Sequence, residues 1–148
     1  MNHTSWLDIV ATMWTSCPSF LAKEEISRIP VIAQVSNSIQ SVYVKRGDTK
    51  EKRAEIIKII LQRQLDAEKG LFPKLLIFPE GATTNGSCLI QFKKGAFLSL
   101  RSVQPLFIEY WNTTKVSTSM DVLGFGSHLA ILAGCGFMTI KVYYMPDF

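Results

Sequence analysis

Residues 75–81 read Leu75-Leu76-Ile77-Phe78-Pro79-Glu80-Gly81, four apolar residues in a row closed by a proline and followed at once by an acid-glycine pair. An apolar run this short reads as a strand over 75–78 buried on both faces, and Pro79, which cannot donate to a ladder, stops it. Burial on both faces belongs to a parallel sheet covered by helices. The covering helix lies just upstream. Asp48 can cap it, Glu51 three residues on can return the capping-box bond, Ile56, Ile57, Ile60, Leu61 and Leu65 line one face, and Gly70 ends it. Further out, β-rich runs fall at 31–35 and 39–44, and two more strands at 103–110 and 139–144. A helix over 5–16 carries Trp6, Ile9, Val10, Met13 and Trp14 as an apolar stripe and stops before Pro18. Strands separated by helical stripes predict an α/β fold, a mostly parallel central sheet flanked by helices on both faces.

The composition fits that picture. A chain of 148 residues with no repeat and no Gly/Ser linker is expected to be a single domain over 1–148. With 47% hydrophobic and 19% charged residues it is too apolar for a disordered tail. Its 16 Lys+Arg against 12 Asp+Glu leave a net charge of +4, too small for a polybasic arm, so no nucleic-acid partner is expected. Cys17, Cys88 and Cys135 make no C-x-x-C pair and leave an odd count, which implies neither a zinc cluster nor a disulfide framework. Residues 124–140 are apolar, but they number 17, include Ser127 and His128 and hold four glycines. A spanning helix usually needs about 20 apolar residues, which makes spanning the least favoured of three readings, behind a helix at a membrane interface and an ordinary core helix.

Chemistry enters at Asn2-His3-Thr4-Ser5-Trp6-Leu7-Asp8. Five residues turn an α-helix through about 500°, so His3 and Asp8 cannot share a helical face. His3 is expected in the turn before the helix, with Asp8 in its first turns reaching back. An imidazole can take a proton from an alcohol near neutral pH, and a carboxylate on its other nitrogen fixes the tautomer and steadies the imidazolium. A terminal histidine beside a helix-capping aspartate fits the same spacing. The second motif, Phe78-Pro79-Glu80-Gly81-Ala82-Thr83-Thr84-Asn85-Gly86, lies where ligand crevices open in α/β sheets, outside the carboxyl end of a strand. Asn85-Gly86 is a turn signal. The third, Val44-Lys45-Arg46-Gly47, puts the planar donor fork of Arg46 at a strand end, and Lys23 or Lys93-Lys94 can add point charges for a phosphate.

In this order the motifs resemble the glycerolipid acyltransferase family, whose members move an acyl chain from acyl-CoA to a hydroxyl of a glycerophospholipid. The N-H-x-S-x-x-D block matches 2–8, the arginine after a short strand falls on Arg46, F-P-E-G is 78–81, and a strand with an early proline fits Val103-Gln104-Pro105-Leu106. The run F-P-E-G-A-T-T-N-G-S, followed by L-I-Q-F-K-K-G-A-F and V-Q-P, is most similar to the branch acting on lysophosphatidylcholine or lysophosphatidylethanolamine. Lysophosphatidate-specific relatives often carry F-P-E-G-T-R-S, where this chain has Ala82 and Thr83.

The resemblance implies His3 as general base, Asp8 as its orienting partner, and Phe78, Pro79, Glu80 and Gly81 around the acceptor, with Arg46 on its phosphate. Lys23, Thr83 and Pro105 join the substrate-binding surface. It implies no metal and no cofactor beyond acyl-CoA as co-substrate. The implied partners are acyl-CoA, a lysophospholipid and a membrane surface, with the site on the cytoplasmic side of the endoplasmic reticulum. Family members usually carry membrane-associated helices and a strand upstream of the histidine, so a missing upstream segment is expected. Acylation of lysophosphatidate or glycerol 3-phosphate and a non-catalytic lipid-binding fragment are the alternatives. A Ser/His/Asp hydrolase on Ser5 lacks the G-x-S-x-G elbow. Asn2, Asn85 and Asn112 match N-x-S/T, but two of them lie inside the motifs, where a glycan would block the site.

Overall fold

The computed structural model describes residues 1–44, 49–114, 116–120 and 123–148, with Ala96 described by its backbone. The chain packs as two compact units, one of Cys17–Ile77 with Lys94–Arg101 and one of Met1–Ser16, Phe78–Lys93 and Ser102–Phe148.

The first unit holds a parallel sheet. Strand β1 (Ser19–Lys23) lies between β2 (Val42–Val44) and β3 (Leu75–Leu76). The register sets Leu21 beside Val42 and Ser19 beside Leu75. Parallel neighbours require long crossovers. Helix α2 (Pro30–Ser38) lies in the first crossover, and the nineteen-residue α3 (Lys50–Glu68) in the second, where it contacts β3. The interior is formed by Phe20, Ile39, Val44, Ile60 and Leu76, together with the fully buried polar side chain of Ser19, whose hydroxyl donates to the Ile39 carbonyl at 2.9 Å.

Several boundaries differ from the sequence expectation. The run at 31–35 is helical because Pro30 occupies the first helical turn, where its preset φ favours entry and its missing N–H is not needed. The run at 39–44 shortens to Val42–Val44, since Ile39 caps α2 and Gln40 has a φ of 55°. Helix α3 is capped by Thr49, whose hydroxyl accepts from the Lys52 N–H at 3.4 Å; Asp48 lies outside the described residues. Gly70, at a φ of 73°, ends that helix as expected, and Ile60 is the buried centre of its stripe. Strand β3 keeps two of the four expected residues. Strand β1 carried no legible signal, being short and mixing Ser19 and Lys23 with three apolar residues.

The second unit is built on an antiparallel pair, β4 (Leu106–Asn112) and β5 (Met138–Tyr144), with Leu106 opposite Tyr144 and Asn112 opposite Met138. These are the strands expected at 103–110 and 139–144, and they form a ladder of their own. Val103 and Phe148 extend it with two backbone bonds of 3.0 Å. Helix α1 (Leu7–Ser16) and helix α4 (Phe125–Gly134) complete the unit. The 124–140 segment is thus a ten-residue helix followed, after Gly136 at a φ of 67°, by the start of β5. Among the described residues no helix is long and apolar enough to cross a membrane.

The interior of this unit is polar. Ser5, Asp8, Thr12 and His128 are fully buried beside Ile108 and Cys135. Helix α1 therefore turns Asp8 and Thr12 inward, four residues apart on one face, while Trp14 is 90% exposed and Val10 50%. The expected apolar stripe is not the buried one. Thr12 is satisfied locally, its hydroxyl donating to the Asp8 carbonyl at 2.8 Å and the Ile9 carbonyl at 3.1 Å. Asp8 is satisfied by what surrounds it.

Candidate active site

The chain turns sharply into α1. The Ser5 carbonyl accepts from the Asp8 N–H at 3.2 Å, and the Ser5 hydroxyl accepts from the Leu7 N–H at 3.3 Å. The Asp8 side chain folds back over this turn. Its Oδ2 accepts from the Thr4 N–H at 2.8 Å, the Ser5 N–H at 3.0 Å and His3 Nδ1 at 2.8 Å. Two of these groups are backbone amides that can only donate, so Asp8 acts as an acceptor and the third donor must be an Nδ1–H. The tautomer of His3 follows. A proton sits on Nδ1, and in the neutral ring Nε2 is then an acceptor, which no group among the described residues engages.

Further contacts fix His3 in place. Its ring stacks on Phe78 with centroids 3.8 Å apart and planes at 24°. Its carbonyl accepts from the Thr84 N–H at 2.9 Å. The preceding residue, Asn2, makes a two-way bond to β4, donating to the Ile108 carbonyl at 3.0 Å and accepting from the Ile108 N–H at 2.9 Å. The imidazole remains 15% exposed, against none for Asp8. A fixed, singly engaged imidazole with an open edge can accept a proton from a bound molecule.

The 78–86 stretch is a built loop. A tight turn closes from the Gly81 N–H to the Phe78 carbonyl at 3.0 Å, with Pro79 at its second position, where its preset φ is favoured. The Pro79 carbonyl accepts from the Lys93 N–H at 2.8 Å, which draws Lys93 across the turn. Gly81 has a φ of 72°, and a Cβ placed there would lie 2.8 Å from the Lys93 ammonium. Asn85 and Gly86 form the expected turn, Gly86 at a φ of 75° and the Asn85 side chain accepting from the Ser87 N–H at 3.0 Å. Glu80 is only 5% exposed, and its Oε2 has no hydrogen-bond partner among the described residues; the same holds for the Thr4 hydroxyl. Both residues line a cavity of about 260 Å³, together with Asn2, Thr84, Cys88 and Phe107. Buried acceptors without partners are costly, and they mark a place where a polar ligand would be stabilised.

The structure therefore brings His3, Asp8, Phe78, Pro79, Glu80 and Gly81 into one unit. Thr83 is exposed on the same loop, and Pro105 sits just before β4 with its carbonyl accepting from the Met145 N–H at 3.0 Å. Lys23 is exposed at the end of β1, in the other unit, and Arg46 lies outside the described residues. Among the described residues no three His, Cys, Asp or Glu side chains converge as metal ligands would.

Two features were not read from the sequence. Tyr110 on β4 donates its hydroxyl to Asp8 Oδ1, and burial first, then the charge and hydrogen bond of Asp8, push the phenol above its ordinary range. The signal was the period of two in β4, which sends Ile108, Tyr110 and Asn112 to the inner face. The other is His128 on α4. Its Nδ1 accepts from the Trp6 indole N–H at 3.0 Å and its Nε2 donates to the Thr118 carbonyl at 3.0 Å.

The acyltransferase family model matches residues 1–111, which include the His3–Asp8 turn, the 78–86 loop and most of β4. The chain belongs to this acyltransferase family. The resemblance to glycerolipid acyltransferases is thereby borne out, and so is the α/β fold. The chain is similar to the Arabidopsis thaliana lysophospholipid acyltransferase LPEAT1, 33% identical over 88% of this chain and 33% of that protein. Human lysophosphatidylcholine acyltransferase 2 is 32% identical over 97% of this chain and 26% of that protein. This chain thus spans only a quarter to a third of their lengths. In fold it is similar to the 1-acyl-sn-glycerophosphate acyltransferase PlsC from Thermotoga maritima, with a TM-score of 0.62 at 17% identity, covering 99% of this chain and 53% of that one.

Proposed function

We propose that this acyltransferase moves an acyl chain from acyl-CoA to the free hydroxyl of a lysophospholipid, with lysophosphatidylcholine or lysophosphatidylethanolamine as acceptor. The observation that carries the reading is the state of His3: Nδ1 committed to a buried carboxylate, Nε2 open. In the reaction, Nε2 takes the hydroxyl proton as the oxygen attacks the thioester carbonyl. The tetrahedral intermediate collapses, the carbon–sulfur bond breaks, and the imidazolium returns the proton to the departing thiolate. Asp8 stabilises the imidazolium between these steps. No acyl-enzyme forms.

The Glu80 carboxylate oxygen that has no partner among the described residues, with Phe78, Pro79 and Gly81 in the same loop, would contact the acceptor. By resemblance alone, Arg46 is assigned to its phosphate and Lys23, Thr83 and Pro105 to the substrate-binding surface. Thr83 in place of the arginine of lysophosphatidate-specific relatives leaves one fewer cation for a phosphate monoester, which favours an acceptor whose phosphate already bears a head group. The name of the human relative, a lysophosphatidylcholine acyltransferase, points the same way. The reaction needs no metal and no cofactor beyond the acyl-CoA co-substrate, and it would take place at a membrane surface, on the cytoplasmic side of the endoplasmic reticulum.

The test is product analysis by mass spectrometry, giving the full-length natural protein mixed acyl-CoAs and a panel of lysolipids. Phosphatidylcholine or phosphatidylethanolamine is the expected product, and phosphatidate instead would move the acceptor to lysophosphatidate. Absence of any acylated product and of free thiol release would refute the reaction.

A further inference from the structure

We infer that Tyr110 is a positioning residue for the base: its hydroxyl holds the Asp8 carboxylate so that Oδ2 keeps His3 in the Nδ1–H tautomer with Nε2 open. The inference rests on the general-base role proposed for His3. Three donors, the amides of Thr4 and Ser5 and the imidazole of His3, all meet Oδ2. The other oxygen, Oδ1, is met by Tyr110. Asp8 is fully buried, so solvent does not replace a missing donor there. Without the phenol, Oδ1 would be a buried anionic oxygen lacking its partner, and the carboxylate would turn toward another donor. That rotation withdraws Oδ2 from His3.

The support beneath Tyr110 is stiff. Tyr110 pairs with Ile140 in the β4–β5 ladder. Two residues earlier on the same face, Ile108 is clamped through its backbone by Asn2; two residues later, the Asn112 side chain donates to the Val116 carbonyl at 2.7 Å. One face of β4 therefore reaches the base twice, through the residue before His3 and through its carboxylate partner. Because burial and the neighbouring carboxylate favour its protonated form, the phenol remains a donor throughout the neutral range.

The experiment is Tyr110→Phe in the full-length protein, read in two ways. Turnover should fall roughly tenfold, as loss of a charge-assisted bond to a catalytic partner predicts, with KM for lysolipid and acyl-CoA unchanged. The proton magnetic resonance of the His3 Nδ1–H, far downfield when bonded to a carboxylate, should move or broaden. An unchanged kcat with an unchanged resonance overturns the inference. So does a lower melting temperature with kcat per folded molecule intact, which is what a structural tyrosine would give. Should Tyr110→Phe fail to fold, fluorotyrosines at position 110 keep the shape while strengthening the donor. Turnover must then change with fluorination, and a flat response again overturns the inference. If the wild-type protein acylates no acceptor, the reaction itself is wrong, and the His3 resonance still decides the Tyr110 linkage.

Discussion

The chain has two histidines, and they are held in opposite ways. His3 uses one ring nitrogen on a buried carboxylate and leaves the other open beside a cavity-forming loop. His128 uses both, taking the Trp6 indole proton and giving its own to the Thr118 carbonyl, and is fully buried. The partners dictate opposite tautomers, Nδ1–H at His3 and Nε2–H at His128. Spare hydrogen-bonding capacity on an oriented ring is what proton transfer needs, and complete satisfaction is what a core position needs. The ring type alone does not distinguish the two.

Substitutions should separate them. His3→Ala and His3→Gln should each lower turnover by roughly 10²–10⁴, the span expected for losing a general base, while the melting temperature stays near that of the wild type. Near-native turnover in either would dissolve the contrast. At His128 the order reverses. His128→Leu strands the Trp6 N–H and the Thr118 carbonyl and should cost about 2 kcal/mol in a urea unfolding series, with kcat per folded molecule retained. His128→Gln, which can accept and donate along the same directions, should recover part of that loss, and no recovery would mean the bonds matter less than ring packing.

A smaller effect is expected at the loop that holds Phe78 against His3. Gly81→Ala places a Cβ at a positive φ and against the flexible end of Lys93, which can move aside, so the backbone supplies most of a loss of about 1 kcal/mol. Calorimetry reads it directly, and an unchanged melting temperature would show the turn to be adaptable.

The smallest effect is a pH effect. A phenol raised by folding contributes stability that is complete below its unfolded value of about 10 and is lost as the pH rises through its folded value. Ultraviolet absorbance should therefore show Tyr110 ionising only with unfolding, and Tyr110→Phe should remove that step. Tyr143, raised chiefly by its hydrogen bond to Glu109 but exposed, should ionise while the protein is still folded.

Much of the local structure is legible in the sequence. The helix over Lys50–Glu68, its Gly70 terminus and the Asn85-Gly86 turn follow from capping and turn chemistry, which act within a few residues. The misread pieces failed for identifiable reasons. Val31, Ile32 and Val35 look like strand residues, but Pro30 starts a helix on which they are exposed. Trp14 and Val10 look like a core stripe, yet burial on α1 follows hydrogen-bond demand at Asp8 and Thr12.

The sequence by itself put His3 within reach of Asp8, because five residues across a helix start bring the two side chains close, and it set the turn at 78–81 through Pro79 and Gly81. Tertiary structure alone decided what completes the site: Tyr110 reaching Asp8 across 102 positions, Asn2 clamping Ile108 across 106, and β4 pairing antiparallel with β5. Local contacts are set by bond geometry and cost little chain entropy. Contacts a hundred residues apart require the loops between them to close, and which ones form depends on how the whole interior satisfies its buried donors and acceptors.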